Sequence, residues 1–172
     1  MVGRARQSIS CGTSLITSKP PKIPRSVLVA IVTPQAETLL IERADFSGFW
    51  QSVTGSQDDG ETFAEAAERE LFEETGLRAN EHGGVVDLSY ENVYQIYLHW
   101  RHRYPPQTTH NRERCFAICL AEKCIPILAA REHVAFKWLP IAVAAKQVTS
   151  WSNAAVLGSL ALHALIAKNA NF

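Results

Sequence analysis

Hydrophobic and polar positions change their rhythm several times along the 172-residue chain. "RSVLVAIVT" and "TLLIER" are short, apolar and β-branched, with a turn around Pro34–Glu37 between them, and predict a hairpin. "FWQSVTGS" predicts another short strand. From Thr62 the period lengthens. Thr62 and Glu65 form a T-x-x-E capping box and Gly76 is a natural stop, so a helix is expected over 63–75. At 100° per residue Ala64, Ala67 and Leu71, with Phe63 at the margin, make its apolar stripe. "GGVVDLSYENVYQIYLHWRHRY" predicts one or two strands, "PPQTTHN" a loop and "RERCFAICLAE" a strand. "HVAFKWLP" predicts a last short strand, followed by a helix over about 140–147. "SWSNAAVLGSLALHALIAKN" closes the chain as one capped helix. Strands on both sides of a central helix, with helices at the end, predict an α/β protein: an α/β/α sandwich around a mixed sheet.

Composition narrows the class. Hydrophobic residues are 47% and charged residues 20% of the chain, as in a globular domain. Seventeen basic residues balance seventeen acidic ones, so there is no electrostatic footprint for long nucleic acid. The N-terminal stretch has basic residues but no apolar h-region, and the apolar C-terminal run of about 14 residues is too short to span a bilayer. Residues 1–21 are expected to be a mobile tail and 22–172 a single domain, in a cytoplasmic protein without membrane attachment. Cys11, Cys115, Cys119 and Cys124 have no zinc-like spacing and read as free thiols.

Charge is spread unevenly, however. Five glutamates fall between Glu65 and Glu74, with no lysine among them. Glu70, Glu73 and Glu74 share an arc of about 100° beside the apolar stripe. Two carboxylates about 5 Å apart cost roughly 1 kcal/mol in water and about 3 kcal/mol at an effective dielectric of 20. A solvated helix face would intersperse lysines. A hard divalent cation with oxygen ligands relieves the repulsion, and Mg²⁺ suits a site that also holds phosphate.

The full stretch reads G-x5-E-x7-R-E-U-x-E-E-x-G-U (U apolar), on Gly55, Glu61, Arg69, Glu70, Leu71, Glu73, Glu74, Gly76 and Leu77. This resembles the Nudix box at every position. The resemblance implies a Nudix fold and Mg²⁺-dependent hydrolysis of a nucleoside diphosphate linked to a further group, by in-line attack of water on phosphorus. Mn²⁺ is an alternative ion. Glu70 and Glu74 are then the expected main metal ligands, with Glu73 completing the cluster, Arg69 orienting Glu73, and Glu61 adding a water-mediated ligand.

Beyond the box, "FWQSVTGS", "HWRHRYPP", "EHVAFKW" and "TSWSN" are similar to the bacterial branch of that family that cleaves 7,8-dihydroneopterin triphosphate in folate biosynthesis. That likeness runs from about Lys22 to Asn153. It implies release of pyrophosphate and dihydroneopterin monophosphate. It also implies metal binding by Glu70, Glu74 and Glu132, with Glu132 as an alternative proton acceptor. Lys22, Arg43, Thr54, the segment Tyr94, Gln95, Ile96, Tyr97, and Ser150 correspond to substrate-contacting positions. His110 stands where the branch has arginine, which weakens any phosphate contact from that loop. In "HWRHRY", read as a strand, His99 and His102 point to opposite faces, whereas Arg101 and Arg103 share one and are candidates to line the phosphate site. Two other readings stay open: a general (deoxy)nucleoside triphosphate pyrophosphatase, and a nucleotide-binding Nudix module without catalysis. Oligomeric state is left open.

Overall fold

Strand β1 (Arg25–Val32) is buried without a break from Val27 to Val32, the mark of a strand covered on both faces. Its alternation divides those residues between two cores. Val27, Val29 and Ile31 pack with Ala66, Ala67 and Leu71 of helix α1 (Phe63–Thr75). Leu28, Ala30 and Val32 pack on the other face. They meet Ile141 and Ala144 of α2 (Ile141–Gln147), Val156 and Leu157 of α3 (Trp151–Leu157), and Leu162 and Ile166 of α4 (Leu160–Asn169). The result is the expected α/β/α sandwich, seen in a computed structural model that describes residues 21–170. The expected tail over 1–21 lies outside the described residues except for Pro21, and Cys11 lies outside them too.

The sheet is mixed. β1 runs antiparallel to β4 (Val53–Ser56) and parallel to β6 (His110–Cys119), which pairs on its other edge with β5 (Val86–Gln95). β2 (Glu37–Arg43) meets β1 only at Val32 and Thr38, then diverges to pair along its length with β7 (His133–Pro140) and briefly with β3 (Trp50–Gln51). The expected hairpin is therefore confined to its turn. The divergence opens one end of the sheet, where β4, α1 and the start of β7 meet.

Three local expectations are corrected. The terminal helix is two helices: the chain breaks at Gly158, and Ser159 caps α4 by accepting from Leu162 N–H. "LHWRHR" is a 3₁₀ turn over Leu98–Arg103, so its side chains do not alternate as on a strand. Arg101 and Arg103 consequently diverge, and Arg101 donates to the Ile96 carbonyl. On α1 the buried residues are Ala66, Ala67, Leu71, Glu74 and Thr75, while Ala64 is exposed. The helix is rotated so that carboxylates, and not only methyl groups, turn toward the sheet. Among the described residues, Cys115, Cys119 and Cys124 are free thiols, and no helix is long and apolar enough to cross a membrane.

Candidate active site

Helix α1 is fixed at both ends. Thr62 Oγ1 accepts from Glu65 N–H, and Glu65 Oε2 accepts from Thr62 N–H, completing the capping box. Gly76 ends the helix with φ 73°, a left-handed conformation that glycine adopts without strain. The rotation seen above aims Glu70 and Glu74 at β4. Glu70 lies directly over Gly55, and a Cβ there would fall 1.7 Å from its carboxyl carbon. The first glycine of the box is thus a space requirement of its glutamate.

Arg69 joins three segments. Its guanidinium is bidentate to Glu61 (2.8 and 2.9 Å) and donates to Glu70 (2.8 Å), Glu73 (3.2 Å) and the Ser56 carbonyl of β4 (2.9 Å). Its firmest partner is Glu61, not the expected Glu73. Glu61 is held by this pair and by Asp58 N–H. Glu73 is more than half exposed.

Glu74 is almost fully buried and accepts from Thr54 N–H at 3.3 Å. The loop before β7 is tied to the end of α1 through Ile127 N–H to Thr75 O and Ala129 N–H to Glu74 O. That loop delivers Glu132 and His133. Ligand atoms of Glu74, Glu132 and His133 lie within 4.8 Å of one another. A register shift between Glu42 and Arg43 pairs Arg43 with His133 and Glu42 with Ala135, leaving Val134 exposed and unpaired. The bulge turns His133 inward, with Nε2 3.3 Å from Glu74 Oε2.

This donor set suits a divalent cation. Two carboxylates, Glu70 and Glu74, are largely turned out of water, and Glu74 lies near enough to Glu70 to repel its charge. Burial pushes Glu70 up to about 7 despite Arg69, and burial likewise raises Glu74 against the opposing effect of His133. Neither ring nitrogen of buried His133 has a well-formed hydrogen bond. Charges and orphaned donors of this kind call for a counter-ion.

Glu70, Glu74, Glu132 and His133 line a cleft of about 710 Å³. Lys22, Arg43, Thr54 and Arg103 also line it, and the same four line an adjoining cavity of about 170 Å³. Phe49, Tyr94, Tyr97, Trp100 and Tyr104 wall that second cavity, with Ser150 at its edge. Lys22 donates to Ser56 Oγ, and burial, then Arg103, lowers its pKa. Arg43 is bidentate to Asp45 and lies against the rings of Phe49 and Trp100. Ser150 caps α3. Of the segment 94–97, Tyr94 and Tyr97 face the cavity, whereas exposed Gln95 and buried Ile96 are not among its lining residues. His110 is exposed, bonded to Thr109, and outside both cavities.

A family model for the NUDIX domain matches residues 22–157. The chain belongs to the Nudix family. It is 38% identical over 145 residues to the dihydroneopterin triphosphate diphosphatase of Escherichia coli K12, covering 83% of this chain and 95% of the relative. The enzyme of that name from Haemophilus influenzae is 36% identical over 132 residues, 76% of this chain and 82% of the relative. The structure of the E. coli dihydroneopterin triphosphate pyrophosphohydrolase superposes with a TM-score of 0.77 at 35% identity, covering 84% of this chain and 99% of that one.

Among the residues lining these cavities, His133, Glu113 and Asn111 were not expected from the sequence. His133 follows Glu132 directly, a pairing that flags a polar site. Its inward turn, however, depends on a bulge that sequence alone does not reveal.

Proposed function

We propose that the protein hydrolyses 7,8-dihydroneopterin triphosphate to the monophosphate and pyrophosphate. The observation that carries this reading is the continuity of the two cavities: an aromatic pocket opens, through a belt of cations, onto a carboxylate cluster. An elongated substrate with a flat head and a triphosphate tail matches that sequence of environments, and relatives 36–38% identical bear the name of this reaction.

Tyr94, Tyr97 and Trp100 offer flat faces to the pterin. Lys22, Arg43 and Arg103 neutralise and orient the triphosphate, and the Asp45 and aromatic contacts of Arg43 preset its guanidinium. Glu70, Glu74 and Glu132 would hold Mg²⁺, or Mn²⁺ in its place, with Glu73 near the cluster and His133 supporting Glu74. When bound, the ion polarises the phosphoryl oxygens and offsets charge that develops on them. Arg69 and Glu61 keep the ligand-bearing helix in register with β4. Glu132, exposed at the mouth of the cleft, is the candidate to take the proton of the attacking water if it does not complete the metal shell. The new P–O bond forms in line with the bond that breaks, and pyrophosphate leaves.

The test is turnover of dihydroneopterin triphosphate with Mg²⁺ against dGTP and dATP, identifying the phosphate product. Pyrophosphate release with a clear preference for the pterin is expected. Equal or better turnover of a deoxynucleotide would make the enzyme a general nucleoside triphosphate pyrophosphatase. Retained ligand without product would make it a binding module.

A further inference from the structure

The aromatic cavity has a polar floor that the reaction above does not use. Asn111 and Glu113 alternate on β6 with Cys115 and Ala117, so all four share one face. Cys115 and Ala117 lie in the apolar core beneath α2–α4. Asn111 and Glu113 are as deeply buried, at 2% and 3% exposure, yet polar. A polar pair at such positions is costly unless something uses it.

Their own partners leave acceptor capacity. Glu113 accepts from Asn92 Nδ2 at 3.1 Å and from the Tyr94 hydroxyl at 3.5 Å, and Ser152 also donates to it. Burial raises the Glu113 pKa, while the hydrogen bonds from Asn92, Ser152 and Tyr94 favour its charged form, and a carboxylate with about four acceptor positions can take one more donor that favours that form further. Asn111 Nδ2 donates to Ser26 Oγ and to Tyr94 Oη. With the Tyr94 hydroxyl assigned as donor to Glu113, its oxygen accepts from Asn111 Nδ2, consistent with this orientation of the amide. Asn111 Oδ1 is then turned away, buried and without a partner. Both residues line the cavity. A carboxylate and an orphaned carbonyl thus lie under aromatic walls, at a pocket whose other lining includes Lys22, Arg43 and Arg103.

Taking the proposed substrate as its basis, we propose that Glu113 and Asn111 are the specificity-determining residues for the head group. They accept from a ring N–H and the adjacent exocyclic amino group of a 2-amino-4-oxo pyrimidine edge. Pterin and guanine both carry that edge. Adenine presents a ring acceptor there, which would face a carboxylate, and hypoxanthine lacks the amino donor. Sites built to pair with a donor discriminate strongly against analogues that lack it.

The experiment compares kcat/KM for dGTP, dITP and dATP in the wild type and in Glu113→Gln. Wild type should favour dGTP over dITP at least tenfold. Glu113→Gln should lose at least tenfold more on dGTP and dITP, which both carry the ring N–H, than on dATP, mainly through KM, while its dGTP to dITP ratio, set by the amino group at Asn111, should stay within about threefold of wild type. Equal use of dGTP and dITP by wild type overturns the assignment with no variant required. A uniform loss on all three substrates in Glu113→Gln overturns it too, since the floor would then be structural only, and so does no loss at all. A wild-type preference for deoxynucleotides over the pterin would sink the proposed substrate yet leave this comparison intact, because guanine carries the same edge.

Discussion

Glu74 and Gly55 show how much one side chain settles here. Glu74 is a charge kept almost out of water, accepting from Thr54 and facing His133. Glu74→Gln keeps its volume and removes the charge. Turnover should drop by a factor of about 100 or more, the scale of losing one preorganised electrostatic group. Thermal stability of the metal-free variant should equal or exceed that of wild type, because a costly buried charge is gone. Steady-state kinetics beside a melting curve checks both, and near-wild-type turnover would remove Glu74 from the catalytic core. Gly55→Ala tests the same cluster from below. The added methyl claims the space of the Glu70 carboxyl, so the glutamate must move. Activity should fall at least tenfold, with a stability cost of roughly 1–3 kcal/mol in urea denaturation, as for other overpacked sites. Unchanged kinetics would show that Glu70 has no fixed role.

At the scale of elements, legibility followed the range of the interactions involved. Helix α1 was readable because its signals are local: Thr62 with Glu65 at one end, Gly76 at the other, and the glutamate spacing between them. Its rotation was not readable, because burying Ala66 in place of Ala64 depends on where Glu70 and Glu74 point in three dimensions. The run at 98–103 is aromatic and basic enough to pass for a strand, but no neighbouring strand pairs with it and it winds into a 3₁₀ turn. The split of the last helix was visible in Gly158-Ser159 and outweighed by the apolar residues around it. His133 needed the bulge at Glu42–Arg43, and the acceptors of Asn111 and Glu113 needed β5 and α3 in place. Because the cap of α1 is local, its loss should stay local. Thr62→Ala should cost about 1 kcal/mol of stability by denaturant titration, with kcat within twofold of wild type. A tenfold loss of kcat would mean that the cap also positions the glutamates.

For the whole molecule, the buried carboxylates proposed to hold the metal couple folding to pH. In the metal-free protein burial raises Glu70 to about 7 and raises Glu74 in the same direction, whereas in the unfolded chain both return to the ordinary carboxylate range. The folded state therefore binds more protons than the unfolded state between that range and about 7. The stabilisation is complete below the unfolded pKa and is lost as pH rises through the folded one. In EDTA, Tm should fall between pH 6 and pH 8, by about 2–4 °C for each kcal/mol lost. Millimolar Mg²⁺ competes with those protons for the same oxygens, so its stabilising shift should be larger at pH 8 than at pH 6. Glu70→Gln removes one titrating group and should flatten the EDTA profile. A Mg²⁺ shift of equal size at both pH values would mean that the ion is held away from these buried carboxylates. The fold around β1, α1 and the loop to β7 would then have brought Glu70, Glu74, Glu132 and His133 together for some other purpose. The predicted slope thus links the rotation of one helix to the proposed metal dependence of the whole protein.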